Sequence, residues 1–149
     1  MDAFEVISAD VSNESPLWAA ALLPACERQP VAVFSPLAPE RFALGLETVY
    51  EAYLVHYGTS RLFDSPPDHE RVLLGDYLYA HGLVRIASAG GVDAVAVMAD
   101  LISTCAALRA RGARGDGEVW VDAARRLGGD PGDAEIVRAL ARHYVRVGS

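Results

Sequence analysis

Between Val72 and Leu108 the chain reads VLLGDYLYAHGLVRIASAGGVDAVAVMADLISTCAAL, and its formal charges there are Asp76, Arg85, Asp93 and Asp100. A helix this apolar must be covered on most sides, so the rest of the fold has to be built around it. Leu73, Tyr77, Ala80, Val84 and Ala87 recur at helical spacing, and Val72, Tyr79, Leu83 and Ile86 form an adjoining row. The spacing predicts one helix over about 68–88 and a second over about 92–111, parted where Gly90-Gly91 can turn the chain. Two apolar helices joined by so short a turn make a central, buried antiparallel pair within a helical bundle. Gly75 and Gly82 lie seven apart on one side, where a neighbouring backbone can come close.

The flanking segments read as helices too. Pro39 suits the first position of a helix that Gly58 ends, with Leu46, Val49, Tyr53 and Tyr57 on its apolar face and Glu40, Glu47 and Glu51 on an outward one. Ser15 and Pro16 open a short helix, and Arg28 to Pro39, with three prolines, is an extended connector. A helix over 118–127 carries Trp120, and another begins near Asp130-Pro131, its arginines Arg138, Arg142 and Arg146 on a solvated face. Residues 1–15 are polar and expected to be loosely held. The reading is all-α, a single helical domain over 1–149.

All thirteen basic residues are arginine, and the formal charge is −7. That balance argues against nucleic acid as a partner. Cys26 and Cys105 have no ligand spacing and fit the reduced thiols of a cytoplasmic protein. The acidic start lacks the order of a signal peptide. The run from Val92 to Leu108 is short and carries two aspartates, so no transmembrane segment is expected.

Chemistry has little to stand on. His56, His69, Asp76 and His81 are the candidates for a metal or acid–base site, but Asp76 and His81 point about 140° apart on a helix. His69 and Asp76 share a face, and two groups do not make a site, so no metal and no catalytic residue is assigned. Phosphate-binding glycine loops and nucleophile elbows are absent.

Leu54-Val55-His56 followed by a loop, then Leu73-Leu74-Gly75-Asp76-Tyr77-Leu78-Tyr79-Ala80 opening an apolar helix, resembles the α-helical trans-polyprenyl diphosphate synthases. In that family a helix ending in His runs into an aspartate-rich DDxxD motif. Here the chain reads Tyr57-Gly58-Thr59-Ser60 at that place, and no second aspartate-rich motif follows. Those aspartates hold the magnesium ions that neutralise a departing diphosphate. The resemblance therefore implies an isoprenoid-synthase-like fold that has lost the chemistry, similar to the small, non-catalytic subunit of the two-component heptaprenyl and hexaprenyl diphosphate synthases.

That resemblance implies a heterodimer in isoprenoid biosynthesis. This chain would bind no cofactor, and a catalytic partner subunit carrying the DDxxD motifs would hold the magnesium. In the family the Gly-Asp helix lies at the dimer interface, which makes Leu74, Asp76, Tyr77, Leu78, His81 and Arg85 the expected partner contacts. The alternative is an all-α protein that self-associates, or binds a small hydrophobic molecule, with no prenyl role.

Overall fold

A computed structural model describes residues 2–148 of the chain. They form α1 (Ala3–Glu14), α2 (Pro16–Ala21), α3 (Ala43–Tyr57), α4 (Asp68–Ala110), α5 (Asp116–Arg126) and α6 (Asp133–Val147), with short 3-10 turns between α2 and α3. Among the described residues there is no strand, and the all-α class is what the chain adopts.

The helix at the centre is α3, not the long apolar stretch. Eleven of its fifteen residues are buried, Glu47 and Glu51 included. The expected outward acidic face does not exist, because the loop after α3 returns and places Arg61 against both carboxylates. Neutralised in this way, the polar side of α3 can be enclosed as fully as its apolar side.

α4 is broken at Gly91, whose φ of 72° and ψ of −161° leave the helical region. A side chain at that φ would be strained, and glycine is not. Before the break, the arm 68–90 runs opposite in direction to α3. A Cβ on Gly75 would strike the His56 ring, one on Gly82 would strike Val49, and one on Gly45 would come within 2.7 Å of Ile86. The missing side chains allow the two backbones to meet, as the glycine spacing anticipates. After the break, Ala94, Val97, Met98, Leu101 and Cys105 turn inward. Phe42 packs on Gly90 just before the break, and Arg109, near the end of the second arm, reaches Tyr53.

Neither arm is covered on most sides. Arm 68–90 buries Leu74, Gly75, Leu78, Gly82 and Ile86, while Leu73, Val84 and Val92 along α4 remain 60%, 66% and 83% exposed. The expected central buried pair is therefore two arms that each bury one stripe.

The polar N-terminal segment is not loosely held. Asp2 caps α1, its Oδ1 accepting from the Glu5 N–H at 2.9 Å. Ile7 and Val11 are buried in a cluster with Ala52, Val55, Leu62, Phe63, Leu74 and Leu78. At about 1.5–3 kcal/mol for each large apolar side chain fully buried, two such residues suffice to anchor a three-turn helix. A second cluster on the other side of α3 joins Phe34, Tyr50, Tyr53, Met98, Leu101 and Trp120. α6 starts later than the Asp130-Pro131 pattern suggests, with the Glu135 carboxylate accepting from the Gly132 N–H at 3.1 Å. Of its arginines, Arg142 donates to the Ala32 carbonyl and Arg146 to the Gln29 side chain, so this face ties down the connector.

Candidate functional site

In the segment following His56, where the family resemblance expects acidic residues, Tyr57, Gly58 and Thr59 are exposed and the chain turns inward only at Arg61–Phe63. The Gly58 N–H closes the last turn of α3 on the Leu54 carbonyl, and the Thr59 N–H donates to the Arg146 carbonyl at 2.8 Å. Arg61 then turns inward and is fully buried. Its Nε donates to Glu51 Oε1 at 2.9 Å, and its Nη1 donates to Glu47 Oε2 at 2.5 Å and to the Val31 carbonyl at 3.0 Å. Ser60 Oγ donates to Glu51 Oε2 and accepts from the Phe63 N–H. The rings of Phe4 and Tyr50 lie 4.7 and 5.0 Å from the guanidinium carbon. Burial alone would favour a neutral Arg61, but the two carboxylates outweigh it and raise its pKa. A base so enclosed cannot meet a diphosphate in solvent.

Asp76 meets His56 rather than His69 or His81, with Oδ1 3.3 Å from Nε2. Burial lowers the His56 pKa, and the Asp76 carboxylate opposes it. His69 sits 3.9 Å from Glu70, and His81 packs on Tyr77 with ring centroids 4.2 Å apart. Among the described residues no three His, Cys, Asp or Glu side chains converge as metal ligands.

Of the six expected partner contacts, Leu74 and Leu78 are buried within the chain and Tyr77, His81 and Arg85 are half-buried. Leu74 and Leu78 are core residues under α1. Tyr77 packs on Trp18 with centroids 4.8 Å apart, and Arg85 pairs with Asp10 of α1 and donates to Thr48 Oγ1 at 2.9 Å. Of the six, Asp76 is the side chain that faces solvent, 67% exposed. One position of helical rotation, about 100°, separates the expected contact residues from the most exposed stripe of this arm. The outward stripe of arm 68–90 is Leu73, Asp76, Ala80, Val84 and Ala87, and that of arm 92–110 is Val92, Ala96, Ala99, Ser103 and Ala107. α4 contains an 18-residue window of mean hydropathy 1.6 of which 28% is buried, a length and composition also sufficient to cross a membrane.

A second polar network joins α3, α4, α5 and α6. Tyr53 OH donates to Asp116 Oδ2 at 2.5 Å, Arg109 Nη2 donates to the same oxygen at 2.6 Å, and Arg109 Nε donates to Tyr53 OH at 3.0 Å. His143, fully buried, has Nδ1 2.7 Å from Tyr50 OH and Nε2 3.2 Å from Asp116 Oδ1. Which of Tyr50 OH and His143 Nδ1 donates depends on the ring's tautomer. Burial pushes the Asp116 pKa up, but His143, Tyr53 and Arg109 together outweigh it and hold the carboxyl well below its usual range. Tyr50 and Tyr53 are pushed far above theirs, mainly by burial. The arrangement is a Tyr–His–Asp relay with no substrate path to the tyrosine hydroxyl, because Tyr50 is buried. Its outer rim, formed by Arg109, Gly112, Arg114, Asp116 and Tyr144, borders an open cleft of about 320 Å³.

No family model, characterised protein or solved structure matches this chain.

The Arg61–Glu47–Glu51 cluster and the Asp116 network escape the sequence reading for the same reason. Each joins residues that are unremarkable apart: Arg61 returns from a loop 10 and 14 positions after Glu51 and Glu47, while Tyr53 and Asp116 are separated by 63 positions and Tyr50 and His143 by 93. One local signal existed, an arginine followed directly by Leu62-Phe63 in a loop opposite Glu47 and Glu51, four apart on a helix.

Proposed function

We propose that this chain is the catalytically silent partner subunit of a two-component polyprenyl diphosphate synthase, with an isoprenoid-synthase-like arrangement of α3 and the two arms of α4. The observation that carries the proposal is the outward face of α4, apolar in composition yet left in solvent over Leu73, Ala80, Val84, Ala87, Val92, Ala96 and Ala99. Exposed apolar residues that recur along one side of a helix fit a contact with something else. The family resemblance assigns the dimer interface to this same helix.

Three further features support the reading. Contacts from arm 68–90 descend along α3, from His56 through Val49 to Gly45 and on to Phe42 at Gly90, while Arg109, near the end of arm 92–110, is back at Tyr53. That reversal fits two arms lying side by side and antiparallel. The loop after His56 carries no aspartate cluster, and the cation it does carry, Arg61, is buried against Glu47 and Glu51. The interior is occupied by stacked and edge-on rings, Phe34 with Trp120 at 5.4 Å and Tyr50 with Trp120 at 5.0 Å, which leaves its role as support for a partner rather than as a container for a prenyl chain. Control of product length would then act through the partner's shape.

The test is prenyl transfer from isopentenyl and farnesyl diphosphates with magnesium. The chain alone should give no product, a DDxxD-bearing subunit from the same genome should give little, and the mixture should give long-chain diphosphate. Product from this chain alone, or a mixture no more active than the catalytic subunit by itself, refutes the proposal.

A further inference from the structure

Positive charge gathers in one short stretch of this acidic chain. Arg109 near the end of α4, then Arg111 and Arg114 in the turn before α5, fall together in a molecule whose formal charge is −7. Gly112 at φ 63° and Gly115 at φ 105° let the chain bend there, in a region that favours glycine. The bend borders the open cleft of about 320 Å³, lined by Arg109, Arg114, Asp116 and Tyr144 among others. A volume of that order lies at the lower end of small-molecule sites, about 300–1,000 Å³.

Arg109 is fixed in place at this cleft. Its Nε donates to Tyr53 OH at 3.0 Å and its Nη2 to Asp116 Oδ2 at 2.6 Å, while the Tyr53 and Tyr57 ring centroids lie 5.7 and 5.8 Å from the guanidinium carbon. Nη1 has no acceptor among the described residues, and the side chain is 28% exposed. A ligand therefore meets a donor edge that is already oriented, with little side-chain freedom left to lose. Arg114 is exposed, and neither it nor Arg111 has an acidic partner among the described residues.

The acids nearby are engaged. Asp116 takes both Tyr53 and Arg109 on Oδ2 and has His143 Nε2 3.2 Å from Oδ1, and Glu118 accepts from Tyr144 OH at 3.1 Å. Two arginines against one aspartate leave the lining positive. A guanidinium fork matches the paired oxygens of an oxyanion, and a second guanidinium favours a dianion over a monoanion.

We propose that the cleft between the 109–116 turn and Tyr144 binds the phosphate group of a soluble phosphomonoester, held by Arg109 and Arg114, with room beside Tyr144 for the organic remainder. The site does not depend on the subunit role, and its test needs no partner chain, so either reading can fail alone.

The test is an NMR titration of the full, isotope-labelled chain with phenyl phosphate at neutral pH. Amide shifts should concentrate on residues 109–116 and saturate with a Kd below about 1 mM. Arg114→Glu, at an exposed position and so expected to fold, should weaken binding at least ~tenfold, and Arg109→Lys, which keeps a cation beside Asp116 but gives up the fork, should weaken it as well. Arg138→Glu, the same charge change on an exposed position of α6, should leave binding unaltered. That control separates a shaped site from general attraction to arginine, while circular dichroism confirms that all variants keep their helix content. No saturation by about 10 mM, shifts scattered over the surface, or equal weakening by Arg114→Glu and Arg138→Glu overturns the inference. Flotation with phosphatidic acid vesicles that Arg114→Glu abolishes, alongside no binding of phenyl phosphate, would overturn it too, by making the turn a lipid-headgroup contact.

Discussion

Replacing Arg61 by methionine removes the cation that allows α3 to be enclosed. Arg61 makes two charge-assisted hydrogen bonds, to Glu51 at 2.9 Å and to Glu47 at 2.5 Å, and all three side chains are buried. Hydrogen bonds to charged groups contribute about 1.5–3 kcal/mol each, and breaking a buried ion pair by deleting one partner costs about 3–5 kcal/mol. Both routes place Arg61→Met near 4 kcal/mol, a large part of the roughly 5–15 kcal/mol that holds a domain together. For a chain of this size that corresponds to a fall in Tm of about 12 °C, at about 3 °C per kcal/mol. Urea unfolding followed by circular dichroism gives the value directly. The triple variant Arg61→Met, Glu47→Met, Glu51→Leu should recover most of the loss, because an apolar replacement of a whole buried ion cluster leaves no orphaned charge. A loss below about 1 kcal/mol in the single variant, the range of exposed salt bridges, would mean that water reaches the cluster, and the closed end of α3 would have to be abandoned.

Three other outcomes follow from the same geometry. Leu78→Ala should cost about 2–5 kcal/mol by emptying a core position, while Val84→Ala, on the exposed stripe, should change stability by no more than about 0.5 kcal/mol; equal effects in urea titrations would put the wrong face of α4 inward. Asp116→Asn should lose about 1.5–3 kcal/mol at neutral pH. Because folding depresses the Asp116 pKa, the wild type's advantage should hold above the unfolded carboxyl's value near ~3.9 and fade as the pH falls further; an advantage that grows on acidification contradicts this. The Cys105 thiol, pushed up to about 12 mainly by burial, should be silent to Ellman's reagent at pH 8 until the chain is denatured, whereas exposed Cys26 should react at once. Two fast thiols in the native protein would show that the core around Cys105 opens.

Periodicity was enough to place the helices after α1, because 3.6-residue spacing and the punctuation of Ser15-Pro16, Gly58 and Gly90-Gly91 are local properties of the chain. Rotation about the α4 axis was harder. Leu73 and Leu74 are equally apolar, and the choice between them rests on which neighbour covers the helix, a tertiary fact. The glycines held the answer: Gly75 and Gly82 mark the side that meets α3, and Leu74, Leu78 and Ile86 lie on that side. α1 was missed although its signals were present, an Asp2 cap three residues before Glu5 and Ile7 and Val11 one turn apart. The acidic side of α3 was misread because Glu47 and Glu51 look solvated until the partner from the following loop is known, and no helical pattern encodes Arg61's return.

The most direct measurement is product formation by a DDxxD-bearing catalytic subunit titrated with this chain, wild type against Val84→Arg. If the outward face of α4 is the contact that supports catalysis, the wild type should raise long-chain product to a plateau near one equivalent, and Val84→Arg, folded but blocked, should need at least tenfold more protein to reach it. Equal titration curves for the two chains, or no rise with either, would contradict the reading.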